Sequence, residues 1–116
     1  MAQMITISLI INILVLIPVC TGLITDASWA TASYGELTPA RGILLSVYLA
    51  ILVVSVFLLF HPDPKLVATL LAVQIIYKLT TPFVVGISNP VIISNILIAL
   101  FHIGTVFAIW RTGELS

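Results

Sequence analysis

Four long apolar stretches fill almost the whole chain, and each is about as long as a lipid bilayer is thick. Crossing roughly 30 Å of hydrocarbon takes about 20 residues of helix. The four stretches lie near residues 4–24, 39–60, 64–85 and 90–111. In hydrocarbon the backbone must satisfy its own hydrogen bonds, so we expect helix there despite the many β-branched residues. The sequence therefore predicts an all-α polytopic membrane protein with four transmembrane helices.

Three dipeptides, each a capping residue followed by a proline, mark where the last three spans begin: Thr38-Pro39, Asp63-Pro64 and Asn89-Pro90. The first member offers a side-chain oxygen typical of a helix N-cap, and proline suits the first helical position. Because the turns at 61–63 and 86–89 are short, the last three spans should be antiparallel neighbours. We expect a single domain over residues 1–116, an up-down antiparallel bundle with its only long connection, the outer loop, at 25–38.

Composition excludes several classes of function. Only 7% of the residues are charged, whereas a soluble domain carries about 25%. The 4 Lys and Arg balance the 4 Asp and Glu, so there is no electrostatic footprint for nucleic acid. The single cysteine, Cys20, excludes an intramolecular disulfide and a cysteine-rich metal site. We expect no catalytic residues, no metal and no cofactor, and as partners membrane lipids with other membrane subunits or further copies of this chain.

The few basic residues near the span ends suggest an orientation. Lys65 and Arg111 lie on the side of the termini, and Arg41 lies on the opposite side. The positive-inside rule then places both termini in the cytoplasm of a prokaryotic inner membrane and the outer loop outside. The bias is a single charge, so insertion in both orientations stays open.

Prolines and aromatic residues add two expectations about the spans. Pro18 and Pro82 lie inside the first and third spans, and we expect both to bend their helices. Trp29, Tyr34 and Trp110 lie near span ends, as in an interfacial aromatic belt.

Some polar side chains lie deep in the spans, where an unpartnered polar group is costly and usually turns inward. Gln74 and Lys78 share one helical face at i and i+4, and Asn95 and His102 share another at i and i+7. Counting residues from the prolines brings these groups to similar depths. We therefore predict an intramembrane polar cluster of Tyr48, Gln74, Lys78, Asn95 and His102.

Two positions are open to Lys78. It could extend outward past Thr80 and Thr81 so that its ammonium reaches the membrane surface, which is the simpler account. Turned inward, it could donate to Gln74, Asn95 or a partner subunit. An inward lysine would serve as a proton carrier or as a binding group for an acidic or quinone-like ligand.

The remaining deep residues are expected to join helices. We interpret His102 as a neutral imidazole hydrogen-bonded to a neighbouring helix, because no second metal ligand lies at i+3 or i+4. Asn12 and Asn95 are likewise expected to form hydrogen bonds between helices.

Small residues and the outer loop indicate where partners could bind. Gly42, Ser46 and Ala50 follow one another at intervals of four, a pattern that allows close packing within the bundle or against another chain. The outer loop could form a short interfacial helix, a docking surface or a solvated connector. The candidate docking residues are Trp29, Tyr34, Glu36, Arg41, Gly42, Ser46 and Ala50.

The segment 37–48, from Leu37-Thr38-Pro39-Ala40-Arg41-Gly42 on to Tyr48, resembles DoxX-like small four-helix membrane proteins. In those families an arginine near the start of the second helix precedes small residues and an aromatic, which here are Arg41, Gly42 and Tyr48. The resemblance implies a small bacterial or archaeal inner-membrane protein, sometimes an accessory subunit of a quinone-linked oxidoreductase. The chain is also similar in size and span number to small multidrug-resistance transporters, but Asn12 is in the span where those depend on a glutamate.

Three functions fit these observations. The leading hypothesis is a non-catalytic accessory or assembly subunit of a larger membrane complex, respiratory or quinone-linked if the resemblance holds. The alternative is a small homo-oligomeric transporter or channel whose intramembrane path is the polar cluster. A quinone-binding or lipid-binding subunit would use the same cluster.

Overall fold

The protein is helical through nearly all of the chain that the structure describes. The computed structural model describes residues 2–86 and 89–113. Its helices are α1 (Ala2–Thr25), α2 (Ser28–Tyr34), α3 (Pro39–Phe60), α4 (Pro64–Val85) and α5 (Pro90–Arg111). Four of them are long and apolar enough to cross a membrane, and the described residues contain no strand. The predicted all-α polytopic fold is confirmed, and α2 is the one helix that was not assigned to a span.

Each predicted helix start is confirmed in atomic detail. Proline occupies the first position of α3, α4 and α5, and the residue before it accepts a hydrogen bond from a backbone N–H of the first turn. These bonds are Arg41 N–H to Thr38 Oγ1 (3.3 Å), Lys65 N–H to Asp63 Oδ1 (3.0 Å) and Val91 N–H to Asn89 Oδ1 (3.0 Å). The side-chain oxygens satisfy donors that have no partner within the helix.

Two cores hold the long helices together. The terminal core, at the end of the bundle that carries both chain termini, takes buried residues from all four: Ile5, Leu9, Leu58, Val67, Ala68, Leu71 and Ile109. The outer core lies at the opposite end and comes from α1, α2 and α3: Leu16, Cys20, Leu23, Ala30, Tyr48 and Ile51. None of the described side chains of α5 is among the buried residues of the outer core.

The helices are not equally close neighbours. Helix α1 packs chiefly on α3, and α4 packs chiefly on α5, whereas α3 and α4 touch each other much less. The short turn therefore makes α3 and α4 antiparallel without making them a tightly packed pair. The side chains of Tyr48 and Tyr77 occupy the space between their outer halves.

The outer loop folds over the end of the bundle as helix α2. Ala30 is fully buried, and the ring of Trp29 lies against the backbone of α1 at Gly22. A Cβ at position 22 would come within 2.1 Å of that ring, so the close approach requires glycine. The short-helix alternative is thus confirmed, and the solvated connector is wrong because α2 buries an apolar face.

Arg41 fastens the outer loop to the bundle. Its side chain is buried and forms an ion pair of 2.8 Å with Asp26, where α1 has ended with a positive φ of 54°. The guanidinium also donates to the carbonyls of Leu23 and Gly35, both at 3.1 Å, and to the Thr31 hydroxyl at 3.4 Å. A planar group with five donors can bind several acceptors at once, which suits it to join α1, α2 and α3.

Helices α1 and α4 continue through Pro18 and Pro82. Threonine hydroxyls donate to carbonyls close to both prolines, from Thr21 to Ile17 and from Thr81 to Tyr77. The predicted bends at the two prolines stay predictions.

Candidate functional site

A cavity of about 520 Å³ lies at the outer end of the bundle, beneath α2 and between α3, α4 and α5. Apolar side chains such as Leu44, Val85 and Ile92 form part of its wall. The polar side chains in the wall are Ser33, Tyr34, Tyr48, Tyr77, Thr81, Asn89 and Asn95. Its volume falls in the range of about 300–1,000 Å³ that is usual for small-molecule sites.

A narrower cavity of about 20 Å³ continues toward the centre of the bundle. It shares Tyr34, Tyr48, Tyr77 and Asn95 with the larger cavity, and Asn12 and Lys78 belong to its wall alone. This is about the room that one water molecule needs. The two cavities therefore form a recess that is wide at the outer end and narrow near Lys78.

Three tyrosine rings, those of Tyr34, Tyr48 and Tyr77, line both the wide part and the narrow part of the recess. The rings of Tyr34 and Tyr48 meet edge to face, with centroids 6.0 Å apart, and Tyr48 and Tyr77 are 6.5 Å apart. Burial raises the pKa of Tyr34, so its phenol stays neutral and can donate a hydrogen bond. The assignment of Tyr34 to an interfacial belt is wrong, because α2 turns this ring into the bundle, whereas Trp29 and Trp110 are exposed at span ends.

Lys78 faces the interior of the bundle. Its side chain is 5% exposed, and its Nζ lies 3.4 Å from Gln74 Oε1 and 5.8 Å from the centroid of the Tyr77 ring. The outward position is wrong for a geometric reason. Leu71, Gln74 and Lys78 follow one another at i, i+3 and i+7, and this stripe of α4 is buried throughout.

His102 is fully buried, and its ring faces the backbone of Ser8 on α1. The predicted bond to a neighbouring helix stays a prediction, because among the described residues neither ring nitrogen has a partner at full hydrogen-bond geometry. Two hydrogen bonds join helices nearby. The hydroxyls of Ser8 and Thr105 bond to each other at 2.7 Å, and Asn12 Nδ2 donates to Ser55 Oγ at 3.1 Å. The imidazole of His102 also lies near enough to Lys78 to interact electrostatically.

The two asparagines have different roles. Asn12 joins α1 to α3 as predicted, and its Oδ1 remains unpartnered in the wall of the narrow cavity. Asn95 makes no side-chain hydrogen bond within the described residues and lines both cavities instead. The expectation that Asn95 joins helices is wrong.

Three members of the predicted polar cluster, Tyr48, Lys78 and Asn95, line the narrow cavity. Gln74 is bonded to Lys78 and has an unpartnered Nε2, and His102 is buried near Lys78, but neither of these two belongs to the cavity wall. Sequence reasoning missed Ser8, Ser55 and Thr105, which continue the polar interior. Spacing could have revealed two of them, because Ser8 precedes Asn12 by four residues and Thr105 follows His102 by three.

The candidate docking residues divide into two groups. Arg41 is buried and Tyr34 is half-buried, and both are engaged within the chain, so neither is available to a partner. The exposed members are Trp29, Glu36, Gly42, Ser46 and Ala50, for which docking stays a prediction. Since Gly42, Ser46 and Ala50 all face away from the bundle, the alternative that they pack within it is wrong.

Negative charge is absent from the walls of both cavities, which lie within the described residues. Asp26 pairs with Arg41, Asp63 caps α4, and Glu36 is exposed in the outer loop. Across residues 2–86 and 89–113, no three His, Cys, Asp or Glu side chains come close enough to hold a metal ion.

Comparison of the chain with protein-family models, with curated proteins and with solved structures finds no match. The resemblance of residues 37–48 to DoxX-like proteins therefore stays a prediction, and the function has to be argued from the geometry of the site.

Proposed function

We propose that the chain is a small membrane transporter whose solute enters the recess at the outer end and passes along the buried polar side chains. The observation that carries this proposal is the inward position of Lys78 at the narrow end of a recess whose described wall has no other charged side chain. A charged side chain inside a transmembrane helix costs about 2.5–3.5 kcal/mol on insertion scales and usually marks a path for ions or substrates.

The order of polar groups along the bundle supports a path. Helices α1 and α4 run from the terminal end outward, and α3 and α5 run back. Asn95 and Lys78 therefore lie toward the outer end, Gln74 and His102 lie near the middle, and the Ser8–Thr105 pair lies nearer the termini. Beyond that pair the terminal core blocks the way with aliphatic side chains. The arrangement corresponds to a transporter open on one side.

Charge supports an orientation for this transporter. The proposal places it in a prokaryotic inner membrane with both termini in the cytoplasm, following Lys65 and Arg111 on that side and Arg41 on the other. The recess would then face outward, and transport would require the terminal core to open toward the cytoplasm. The exposed stripe of Gly42, Ser46 and Ala50 offers a surface on which copies of the chain could pack as a homo-oligomer.

Flux through liposomes tests the proposal. Purified protein is reconstituted, and influx of protons, potassium, chloride, small organic acids and small organic amines is measured against empty liposomes. We expect flux of at least one solute, lost in Lys78→Leu and in His102→Ala. The matched control is Lys65→Leu, because Lys65 is an exposed lysine of the same helix.

The result that contradicts transport is equally definite. Folded protein, verified by circular dichroism, that conducts none of these solutes would remove the proposal. Equal flux in wild type and Lys78→Leu would place any path elsewhere in the molecule.

A second candidate is the accessory or assembly subunit of a larger complex, quinone-linked if the DoxX-like resemblance holds. The exposure of Gly42, Ser46 and Ala50 on α3 favours it, because small residues let another helix approach closely. Native membranes solubilised in mild detergent should then show the chain comigrating with larger polypeptides. A lone 12.5 kDa species would count against this candidate.

A further inference from the structure

The ammonium of Lys78, at the narrow end of the recess, has no ion-pair partner among residues 2–86 and 89–113. Lys78 is 5% exposed and makes one hydrogen bond, to Gln74 Oε1 at 3.4 Å. An ammonium has three donors. Within the described residues, no carboxylate lines either cavity. The recess therefore offers a positive charge that no described carboxylate of its wall neutralises.

Neighbouring polar groups suit a carboxylate better than a halide or another spherical anion. Gln74 lies beside Lys78 but outside the described wall of either cavity; it accepts from Lys78 through Oε1, and its Nε2 is an unpartnered buried donor. The phenols of Tyr48 and Tyr77, in the wall of the narrow cavity, are further donors. A carboxylate has two oxygens that each accept hydrogen bonds, so it can use an ammonium and a neutral donor together.

The wide part of the recess suits an apolar body. Its volume is about 520 Å³, and aromatic faces and aliphatic side chains such as Leu44 and Ile92 make up much of its wall. An apolar group placed there would contact tyrosine rings at one end of the cavity and aliphatic groups at the other. This wall has no basic side chain that could bind the second carboxylate of a dicarboxylate.

We propose that the recess binds a small amphiphilic monocarboxylate, with its carboxylate at Lys78 and its apolar body in the wide cavity between Tyr48, Tyr77 and α5. This inference rests on the proposed function, since the same recess is the entrance of the path. Two sources share this chemistry, an aromatic acid arriving from water and a fatty acid arriving from the bilayer.

Equilibrium binding in detergent micelles tests the inference without any need for flux. Four probes are titrated into the full chain by calorimetry: phenylacetate, its neutral amide phenylacetamide, the cation phenethylamine, and decanoate. We expect at least one of the two acids, phenylacetate or decanoate, to bind. If phenylacetate binds, phenylacetamide and phenethylamine should bind at least tenfold more weakly than it does. Lys78→Met should lower acid affinity at least tenfold, whereas Lys78→Arg should retain part of it. The matched control Lys65→Met should leave affinity unchanged.

The outcomes separate the ligand class from the transport function. Binding of phenylacetate assigns the water-borne source, and binding of decanoate alone that depends on Lys78 assigns the bilayer source; either supports the inference. Neither acid binding, phenylacetamide binding as tightly as phenylacetate, or Lys78→Met keeping its acid affinity while circular dichroism shows native helicity would overturn it. Acid binding without flux in liposomes would contradict the transport function and support the carboxylate site. Flux without acid binding would support transport and contradict the carboxylate site.

Discussion

Where α1 begins and α5 ends, all four long helices meet around aliphatic side chains, whereas at the outer end none of the described side chains of α5 joins the buried core and tyrosine rings line a recess instead. Leu9, Leu71 and Ile109 are completely buried in the terminal core. Tyr48 and Lys78 are nearly as buried at the outer side, yet both border a cavity. Burial alone therefore does not distinguish the two ends.

This difference indicates what makes transmembrane helices pack tightly against one another in lipid. Because lipid tails are as apolar as leucine, apolar side chains gain little from leaving them, and closure depends on close packing. The terminal core has side chains that interdigitate from four helices. At the outer end, polar groups and three tyrosine rings take the place of such packing, and the cavity there is space that a ligand could use.

The largest expected difference between the two ends of the bundle is in the stability lost when a leucine is truncated to alanine. Leu71→Ala removes a completely buried side chain of the terminal core, and we expect it to lower the unfolding free energy by about 1–3 kcal/mol. That is less than in a water-soluble core because the transfer contribution largely vanishes in lipid. Leu44→Ala only enlarges an existing cavity, so we expect a loss below about 0.5 kcal/mol. Unfolding in mixed micelles by detergent titration measures both, and equal losses would show that the ends pack alike.

Two glycine substitutions test how α2 covers the outer end. In Gly22→Ala the new methyl group meets the Trp29 ring, so α2 must shift, and we expect a loss of about 1–3 kcal/mol from overpacking. Gly42→Ala is the matched control, since nothing lies within 4 Å of its new Cβ. With Trp110→Phe in both, the fluorescence of Trp29 should change in Gly22→Ala alone. An unchanged Trp29 spectrum would mean that its ring does not pack on α1.

Loss of the Arg41 side chain should loosen the outer end selectively. Arg41→Gln removes the donors that bind Asp26, Leu23 and Gly35. Cys20 is buried in the outer core and is the only cysteine, so its alkylation by a membrane-permeant maleimide reports opening there. We expect labelling to be about tenfold faster, because a loss of roughly 1.4 kcal/mol in the free energy of opening makes the open state ten times more populated. Arg111→Gln, which changes an exposed arginine at the terminal end, should leave the rate unchanged, and a similar acceleration there would contradict a selective role.

The smallest expected effect concerns the hydroxyl pair between the two regions. Ser8 and Thr105 share a buried hydrogen bond of 2.7 Å. A double-mutant cycle with Ser8→Ala and Thr105→Val should give a coupling of about 0.6 kcal/mol, the usual value for such bonds between transmembrane helices. A coupling near zero would mean that the pair holds α1 and α5 together no better than apolar contacts do.

The sequence predicted how deep in the membrane most of the site residues lie. It did not predict which of them face the interior of the bundle. The caps at 38, 63 and 89 set the start of each helix, so counting residues placed Gln74, Lys78 and His102 near one level. The same counting could not tell that Lys78 turns inward or that Tyr34 belongs to the recess. Those facts depend on which neighbours each helix has and on where α2 folds back.

The chain by itself determined the number, length and start of its transmembrane helices, because bilayer thickness and unsatisfied backbone groups act locally on each segment. Only the tertiary structure decided the rotation of each helix about its axis, and with it the recess, the buried Lys78 and the internal position of Arg41. The physical reason is that lipid and protein interior are almost equally apolar. The lipid-facing and core-facing sides of these helices therefore look alike in sequence, and packing between particular side chains settles which side faces inward.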